Sequence, residues 1–162
     1  MKVIFLDVDG VLNSDFPTRH QLASGEWIDR ERVRLLGEIV RRTGAQLVLH
    51  SGWRFWLDEE LHPLRPEAEQ LLERLGEQGL RLLDKTKDLS NPDIRKNRRY
   101  HRCKGKEILH WLRTHPKPEA YVVLEDLDLH TLRLSSHQVR PDSHIGLTET
   151  EVERAVEILG ES

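Results

Sequence analysis

Two aspartates, Asp7 and Asp9, follow directly after an apolar run near the start of the sequence. The run, residues 3–6 (Val-Ile-Phe-Leu), is typical of a strand that is buried on both faces. Aspartate is a poor strand former, so two of them at the end of a buried strand need a chemical reason. Strand alternation would point both carboxylates to one side, where they repel unless a cation or a shared proton relieves them. The pair predicts a site for a hard divalent ion such as Mg²⁺, although Asp9-Gly10 is also a common turn dipeptide.

A second apolar run, residues 45–49, leads into Ser51 and Gly52. A hydroxyl, a glycine and exposed backbone N–H groups just past a parallel strand would make a cradle for an anion. A plain exit from strand to loop is the alternative interpretation. The carboxyl ends of neighbouring parallel strands face one crevice, so we expect this segment to lie beside the aspartate pair.

A later run, residues 121–124, ends in the adjacent acids Glu125 and Asp126. A purely structural role gives no reason for a second buried strand that ends in paired carboxylates. These acids are further candidate metal ligands at the same edge of the sheet.

A lysine-containing segment begins a predicted helix in which Ile108 and Trp111 recur at helical spacing and Pro116 stops the pattern. A lysine near a helix start adds its charge to the free N–H groups there, a favourable place for phosphate. Lys104 and Lys106 are both candidates for this role. The alternative for each is an ordinary solvated surface charge.

The stretch from Arg95 to Lys106 contains seven basic residues and no acid, although the whole chain has a formal charge of -3. Such a stretch can follow a phosphate backbone, and nearby aromatic residues can stack on bases. The candidate stacking residues are Tyr100, Trp53 and Trp56, and the candidate substrate-binding arginines are Arg54, Arg98 and Arg99. A flexible solvated loop is the alternative interpretation.

The remaining periodicity predicts the elements that position these residues. A helix capped by Asp29 and ended by Gly44 would join the first two strands into a right-handed βαβ unit. Further predicted elements are a helix over 66–78, a short strand over 80–83 and a final helix that starts with a capping box at Thr148. Strands alternating with helices predict an α/β fold with a central, mostly parallel sheet.

Composition sets broader limits. The 162 residues suffice for one domain, predicted over residues 1–162, and 33% of them are charged. No apolar run approaches a membrane span, and the first strand lacks the features of a secretory signal. The single cysteine, Cys103, fits a reducing compartment. We expect a cytoplasmic protein without a membrane partner.

The motifs together resemble those of the haloacid dehalogenase-like (HAD) hydrolase superfamily. The resemblance rests on residues 7–12 (Asp-Val-Asp-Gly-Val-Leu), on Ser51, on a lysine that opens a helix and on Glu125-Asp126 after a strand. Three shorter segments resemble a small capless branch associated with RNA-repair-type phosphatase domains: residues 51–54, residues 104–108 and residues 146–148. The resemblance implies a three-layer Rossmann-like fold without a large cap domain.

The resemblance also implies roles. Asp7 would attack phosphorus and form an aspartyl-phosphate, and Asp9 would act as the general acid and then the general base. Phosphate would be held by Ser51, Gly52 and one of the two lysines, Lys104 or Lys106. Mg²⁺ would be held by Asp7, the carbonyl of Asp9, Glu125 and Asp126. The chain departs from the usual pattern at Glu125, where an aspartate is more common, and at His50, where a small residue is more common.

The expected function is therefore a Mg²⁺-dependent phosphatase whose substrate is a terminal phosphate of a nucleic acid or a nucleotide. Two alternatives stay open at this point. One is a small-metabolite phosphatase, and the other is a phosphate- or nucleic-acid-binding module that keeps the fold without catalysis.

Overall fold

The computed structural model describes residues 1–14, 25–92 and 100–162, with the backbone alone for residues 100–102. Its centre is a five-stranded sheet in the order β3-β2-β1-β4-β5 in which every paired strand is parallel. The strands are β1 (Lys2–Leu6), β2 (Gln46–Leu49), β3 (Leu82–Lys85), β4 (Ala120–Leu124) and β5 (Gln138–Val139). The predicted α/β fold with a parallel central sheet is confirmed.

Helices cover both faces of the sheet. They are α1 (Arg30–Thr43), α2 (Pro66–Glu77), α3 (Tyr100–Thr114), α4 (Leu132–Ser135) and α5 (Glu149–Leu159), with a 3₁₀ helix over Gly52–Trp56. Ile4 and Leu6 of β1 pack into a cluster with α1, α2 and α5. Val3 and Phe5 alternate to the opposite face, where α3 and α4 cover them. The first strand is thus buried on both faces, as its uninterrupted apolar run predicts.

Local signals set the helix ends. The Asp29 side chain accepts a hydrogen bond from the backbone N–H of Glu31 at 2.8 Å, and α1 ends at Gly44 in the left-handed conformation (φ 72°). Thr148 and Glu151 form the predicted capping box of α5. Among the described residues, none of the helices has the length and apolar character of a membrane span.

Two predicted boundaries are wrong. The third strand begins at Leu82 rather than at residue 80, because the N–H of Leu80 bonds to the carbonyl of Leu75 and belongs to the turn after α2. The strand instead includes Asp84, whose carboxylate accepts a hydrogen bond from the indole of Trp111 at 2.8 Å. Helix α3 starts at Tyr100, one turn before the lysine-containing segment, residues 104–106, that we expected to begin it.

Candidate active site

The register of the central strands sets the geometry of the site. Leu6 of β1 pairs with Leu49 of β2 on one side and with Leu124 of β4 on the other. The next residue of each strand therefore lies at the same level, at the carboxyl edge of the sheet. These three residues are Asp7, His50 and Glu125, and all three are buried. The predicted crevice at this edge is therefore built from polar side chains on three adjacent strands.

Lys104 reaches this edge from α3. Its ammonium Nζ lies 2.9 Å from Glu125 Oε2 and 3.7 Å from Asp7 Oδ1. Only 15% of the Lys104 side chain is exposed. Lys106, by contrast, is exposed, because residues two apart on a helix point to nearly opposite sides. Of the two candidate lysines, the structure places Lys104 at the site and Lys106 outside it.

Burial dominates the electrostatics of these acids. Desolvation raises the pKa of Asp7 to about 6, and the nearby charge of Lys104 offsets part of that effect. Desolvation also raises the pKa of Glu125, to about 10, and the charge of Asp7 adds to it. Burial lowers the pKa of Lys104, but the charges of Asp7 and Glu125 outweigh it and leave that pKa above its usual value. Asp7 and Glu125 can carry two negative charges against the one positive charge of Lys104, and protons retained on the carboxyl groups balance the difference.

Three carboxylates converge closely enough to share one cation. Asp7, Glu125 and Asp126 each offer an oxygen, and these atoms all lie within 4.8 Å of one another. Gly10 permits this approach: it has φ 78°, and a Cβ there would lie 2.6 Å from Asp126 Oδ2. An all-oxygen, desolvated donor set of this kind fits a hard divalent ion such as Mg²⁺. The raised pKa values of Asp7 and Glu125 support this fit as well as the distances do. A bound cation would replace the protons that these two carboxyl groups retain.

Asp9 lies in a different environment from Asp7. Strand β1 ends at Leu6 and the chain turns, with the carbonyl of Val8 accepting hydrogen bonds from the N–H groups of residues 11 and 12. The expectation that alternation points both aspartates to one side stays a prediction. The Asp9 carboxylate is exposed and is not among the three converging acids. The role of its carbonyl as a metal ligand stays a prediction.

Two neutral donors hold the Asp9 carboxylate. The indole N–H of Trp53 donates to Oδ2 at 3.2 Å, and the amide of Asn13 donates to Oδ1 at 3.1 Å. Asn13 is fixed in turn, because its Oδ1 accepts from the backbone N–H of Gly10 at 2.9 Å. Asn13 was not predicted from the sequence, and Trp53 was predicted to stack on a base. The signal for Asn13 was its position four residues after Asp9, within reach once the chain turns.

Ser51 and Gly52 lie where the anion cradle was expected, directly after β2. Ser51 is buried and caps the 3₁₀ helix, with its Oγ accepting from the N–H of Trp53 at 3.1 Å. Gly52 is exposed, and a Cβ built on it would meet no described atom within 4 Å. The space over Gly52 is thus open to a ligand. Their contact with phosphate stays a prediction.

Arg54 is committed to the interior rather than to the surface. Its guanidinium donates to Glu107 Oε2 at 2.6 Å and to the backbone carbonyls of His50 and Ser51 at 3.1 and 3.0 Å. Only about 5% of the residue is exposed. These contacts hold the loop after β2 against α3, and substrate binding by Arg54 stays a prediction.

His50 occupies the position where the resemblance suggested a small residue. Burial lowers the pKa of its imidazole well below the usual range, and the charge of Lys104 adds to that effect. The neutral ring lies between strands, with Nε2 3.5 Å from the carbonyl of Leu124 and 3.8 Å from Glu125 Oε2. It fills the edge of the sheet beside the acids without adding charge.

The remaining predicted substrate contacts divide into two groups. Arg98 and Arg99 lie outside the described residues, as does the side chain of Tyr100. Trp53 is only 6% exposed and cannot offer a ring face to a base, whereas Trp56 packs on it with ring centroids 5.1 Å apart. The exposed aromatic residue of this segment is Phe55, at 49%.

The fold and the site together define a HAD-like domain. They combine a parallel sheet, acids at its carboxyl edge and Lys104 from α3. Comparison with known families gives the particular one: the model for the HAD domain in Swiss Army Knife RNA repair proteins matches residues 3–152, and the chain belongs to this family. No curated protein and no solved structure matches the chain. Membership of a HAD family favours a hydrolase activity of the phosphatase type.

Proposed function

We propose that this protein is a Mg²⁺-dependent phosphatase that removes terminal phosphates from nucleic acids or nucleotides. The observation that supports it most is the environment of Asp7: a carboxylate buried beside Glu125 and Asp126, 3.7 Å from the Lys104 ammonium. A nucleophilic carboxylate must be shielded from water and lie close to a cation. It must also lie next to a group that stabilises the charge developing in the transition state. The RNA-repair description of the family supports a nucleic-acid substrate over a small metabolite.

The proposed reaction has two steps. An oxygen of Asp7 attacks phosphorus, the bond from phosphorus to the ester oxygen breaks, and Asp9 gives its proton to the leaving alcohol. Water then attacks the aspartyl-phosphate, Asp9 takes a proton from that water, and the bond from phosphorus to Asp7 breaks. Inorganic phosphate leaves, and both aspartates return to their starting state. Lys104 stabilises charge on the phosphoryl oxygens throughout.

Mg²⁺, held by Asp7, Glu125 and Asp126, would supply charge neutralisation for the phosphoryl group when bound. The protein's own residues divide the remaining work. Trp53 and Asn13 orient Asp9 toward the leaving oxygen, and Gly10 lets Asp126 come close to the first motif. Ser51 and Gly52 lie beside the open space that a phosphate would occupy.

Turnover of an aryl phosphate by the purified protein tests the proposal. We expect release of phosphate that requires Mg²⁺, is lost with a chelator and is restored when Mg²⁺ is added back. Asp7→Asn is the matched control, since it keeps the shape of the side chain and removes the attacking charge. A protein that binds phosphorylated oligonucleotides but releases no phosphate, with or without Mg²⁺, would instead be a binding module.

A further inference from the structure

Two neighbouring cavities lie beside the candidate active site at the carboxyl edge of the sheet. The smaller, of about 380 Å³, is lined by Gly52 and Lys104 and therefore begins at the proposed phosphate position. The larger, of about 470 Å³, extends over the end of β3 to Trp111 and His115 of the α3 region. The two cavities share three lining residues, which are Arg54, Phe55 and Asp88. A substrate held at Lys104 can therefore continue past Phe55 into the larger cavity.

Phe55 is a flat, half-exposed surface between the two cavities. Its ring lies 4.5 Å from the guanidinium carbon of Arg54, which is itself fixed by the ion pair with Glu107. Phe55 follows Gly52 by three residues of 3₁₀ helix, which corresponds to an axial distance of about 6 Å. A ring joined to a phosphate through a sugar spans such a distance. Phe55 is thus supported from one side and placed one sugar length from the phosphate position.

Thr86, which lines the larger cavity, has a buried hydroxyl that lacks a partner among the described residues. Thr86 follows β3, and its backbone N–H bonds to the carbonyl of Leu49 at 2.9 Å. Thr86 is only 2% exposed, and its Oγ1 has no hydrogen-bond partner among the residues that the structure describes. Buried hydroxyls are nearly always paired, so an unpaired one on a residue that lines a cavity points to a partner that the described residues do not supply.

The other walls favour a neutral aromatic ligand over a second phosphate. The rings of Trp111 and His115 stack with centroids 4.0 Å apart. Asp84 accepts from the indole of Trp111 at 2.8 Å and lies 3.2 Å from the His115 ring. Apart from the histidines, the charged lining residues balance: three are basic (Arg54, Lys85 and Lys87) and three are acidic (Glu59, Asp84 and Asp88).

We propose that this larger cavity binds the nucleobase of the nucleotide that carries the scissile phosphate. Phe55 stacks on the base, and Thr86 Oγ1 hydrogen-bonds to its polar edge. The inference rests on the proposed phosphatase activity and specifies its substrate: the enzyme recognises a nucleotide unit and not only a phosphate. A base in this cavity uses the buried hydroxyl and the exposed ring, two features that the phosphate chemistry leaves unexplained.

The test compares two oligoribonucleotides that differ at one position. Both carry the terminal phosphate that the wild type hydrolyses, but one lacks the base on the terminal nucleotide. The measured quantity is the ratio of their kcat/KM values. We expect the wild type to prefer the intact substrate and Phe55→Ala to lower that ratio about 5- to 100-fold, the range for loss of one base-stacking contact. Phe55→Trp should retain the preference.

Leu83→Ala is the matched control. Leu83 has nearly the same exposure as Phe55, 46% against 49%, but lines neither cavity, and its removal should leave the ratio unchanged. Thr86→Val keeps the shape of the side chain and removes the hydroxyl. It should lower the ratio about 2- to 10-fold, the range for one hydrogen bond, without lowering Tm, since the lost hydroxyl had no partner in the fold.

Two results would overturn the inference: a wild type that hydrolyses both oligoribonucleotides equally well, or a Phe55→Ala ratio equal to that of the wild type. Either would leave the phosphatase activity itself standing. Failure of the proposed function is distinguishable, because it removes turnover of aryl phosphate as well. In that event, the base site can still be tested by binding at equilibrium. The affinity of Asp7→Asn for a nucleoside monophosphate is compared with its affinity for ribose 5-phosphate. Equal affinities would reject it.

Discussion

Asp7 and Asp9 are the same residue type two positions apart, yet the fold gives them opposite surroundings. Asp7 is buried among charges, beside two further carboxylates and one ammonium, and its pKa is raised to about 6. Asp9 is exposed and is held by two uncharged donors, the indole of Trp53 and the amide of Asn13. A buried carboxylate beside cations suits a nucleophile, whereas a solvent-connected carboxylate suits proton exchange with an alcohol and water. These surroundings support the two roles proposed for the aspartates.

The largest effect that separates the two aspartates is expected from Asp9→Asn. The variant keeps the shape of the side chain and one of its two acceptor oxygens, but it cannot give a proton to the leaving group. Turnover of alkyl phosphates, whose leaving groups need that proton, should fall about 10²–10⁴-fold. Turnover of an aryl phosphate with a good leaving group should fall much less. Parallel losses on the two substrates, measured as kcat, would remove Asp9 from the acid role.

The second-largest effect is expected at Lys104, which is part of the surroundings of Asp7. Lys104→Met removes the ammonium that lies 3.7 Å from Asp7 and 2.9 Å from Glu125, and kcat should fall about 10²–10³-fold for loss of one charged stabilising group. Lys106→Met provides a matched control two residues away on the exposed side of α3. It should change kcat by no more than about twofold, as expected for a surface substitution. Equal losses in the two variants would contradict the assignment of Lys104.

The surroundings of Asp7 and of Asp9 show what the sequence could and could not predict. The strand ends were predictable, because uninterrupted apolar runs followed by acids mark parallel strands, and their level register brings Asp7 and Glu125 together. The exposure of Asp9 and its hydrogen bonds to Trp53 and Asn13 were not, because they depend on β1 ending at Leu6 and on the turn that follows. The choice of Lys104 depends likewise on where α3 lies against the sheet. Such orientations are set by tertiary packing, and spacing along the chain does not determine them.

The orientation of Asp9 can be tested through Trp53. Trp53→Phe keeps the aromatic ring but removes the N–H that donates to Asp9 Oδ2. We expect kcat for alkyl phosphates to fall about 5- to 10-fold, as for one lost hydrogen bond, with a smaller change for aryl phosphates. Trp56→Phe is the control, since Trp56 packs against Trp53 and its indole has no hydrogen bond to Asp9 among the described contacts. A loss of the same size on both substrate types would indicate a structural role.

The smallest expected effect is the pH dependence of metal binding. Because burial raises the pKa of Asp7 to about 6, protons compete with Mg²⁺ for this carboxylate below that pH. Without metal, the folded state retains a proton that the unfolded state has lost, so Asp7 makes stability fall as pH rises from about 4 to about 6. Added Mg²⁺ should therefore raise Tm more at pH 7 than at pH 5. Asp7→Asn should reduce that difference to the part that comes from the proton on Glu125, and a Mg²⁺ effect on Tm that is independent of pH would contradict a role for Asp7 as a ligand.

The central claim is that Asp7 becomes phosphorylated during turnover, and mass spectrometry of acid-quenched reactions tests it most directly. Asp9→Asn should accumulate the intermediate on an aryl phosphate, because attack by Asp7 persists while the base that activates water is missing. After proteolysis, we expect the added phosphate on the peptide that contains Asp7, and its absence from Asp7→Asn treated in the same way. Phosphate release by an active enzyme with no phosphorylated Asp7 in either the wild type or Asp9→Asn would contradict the account.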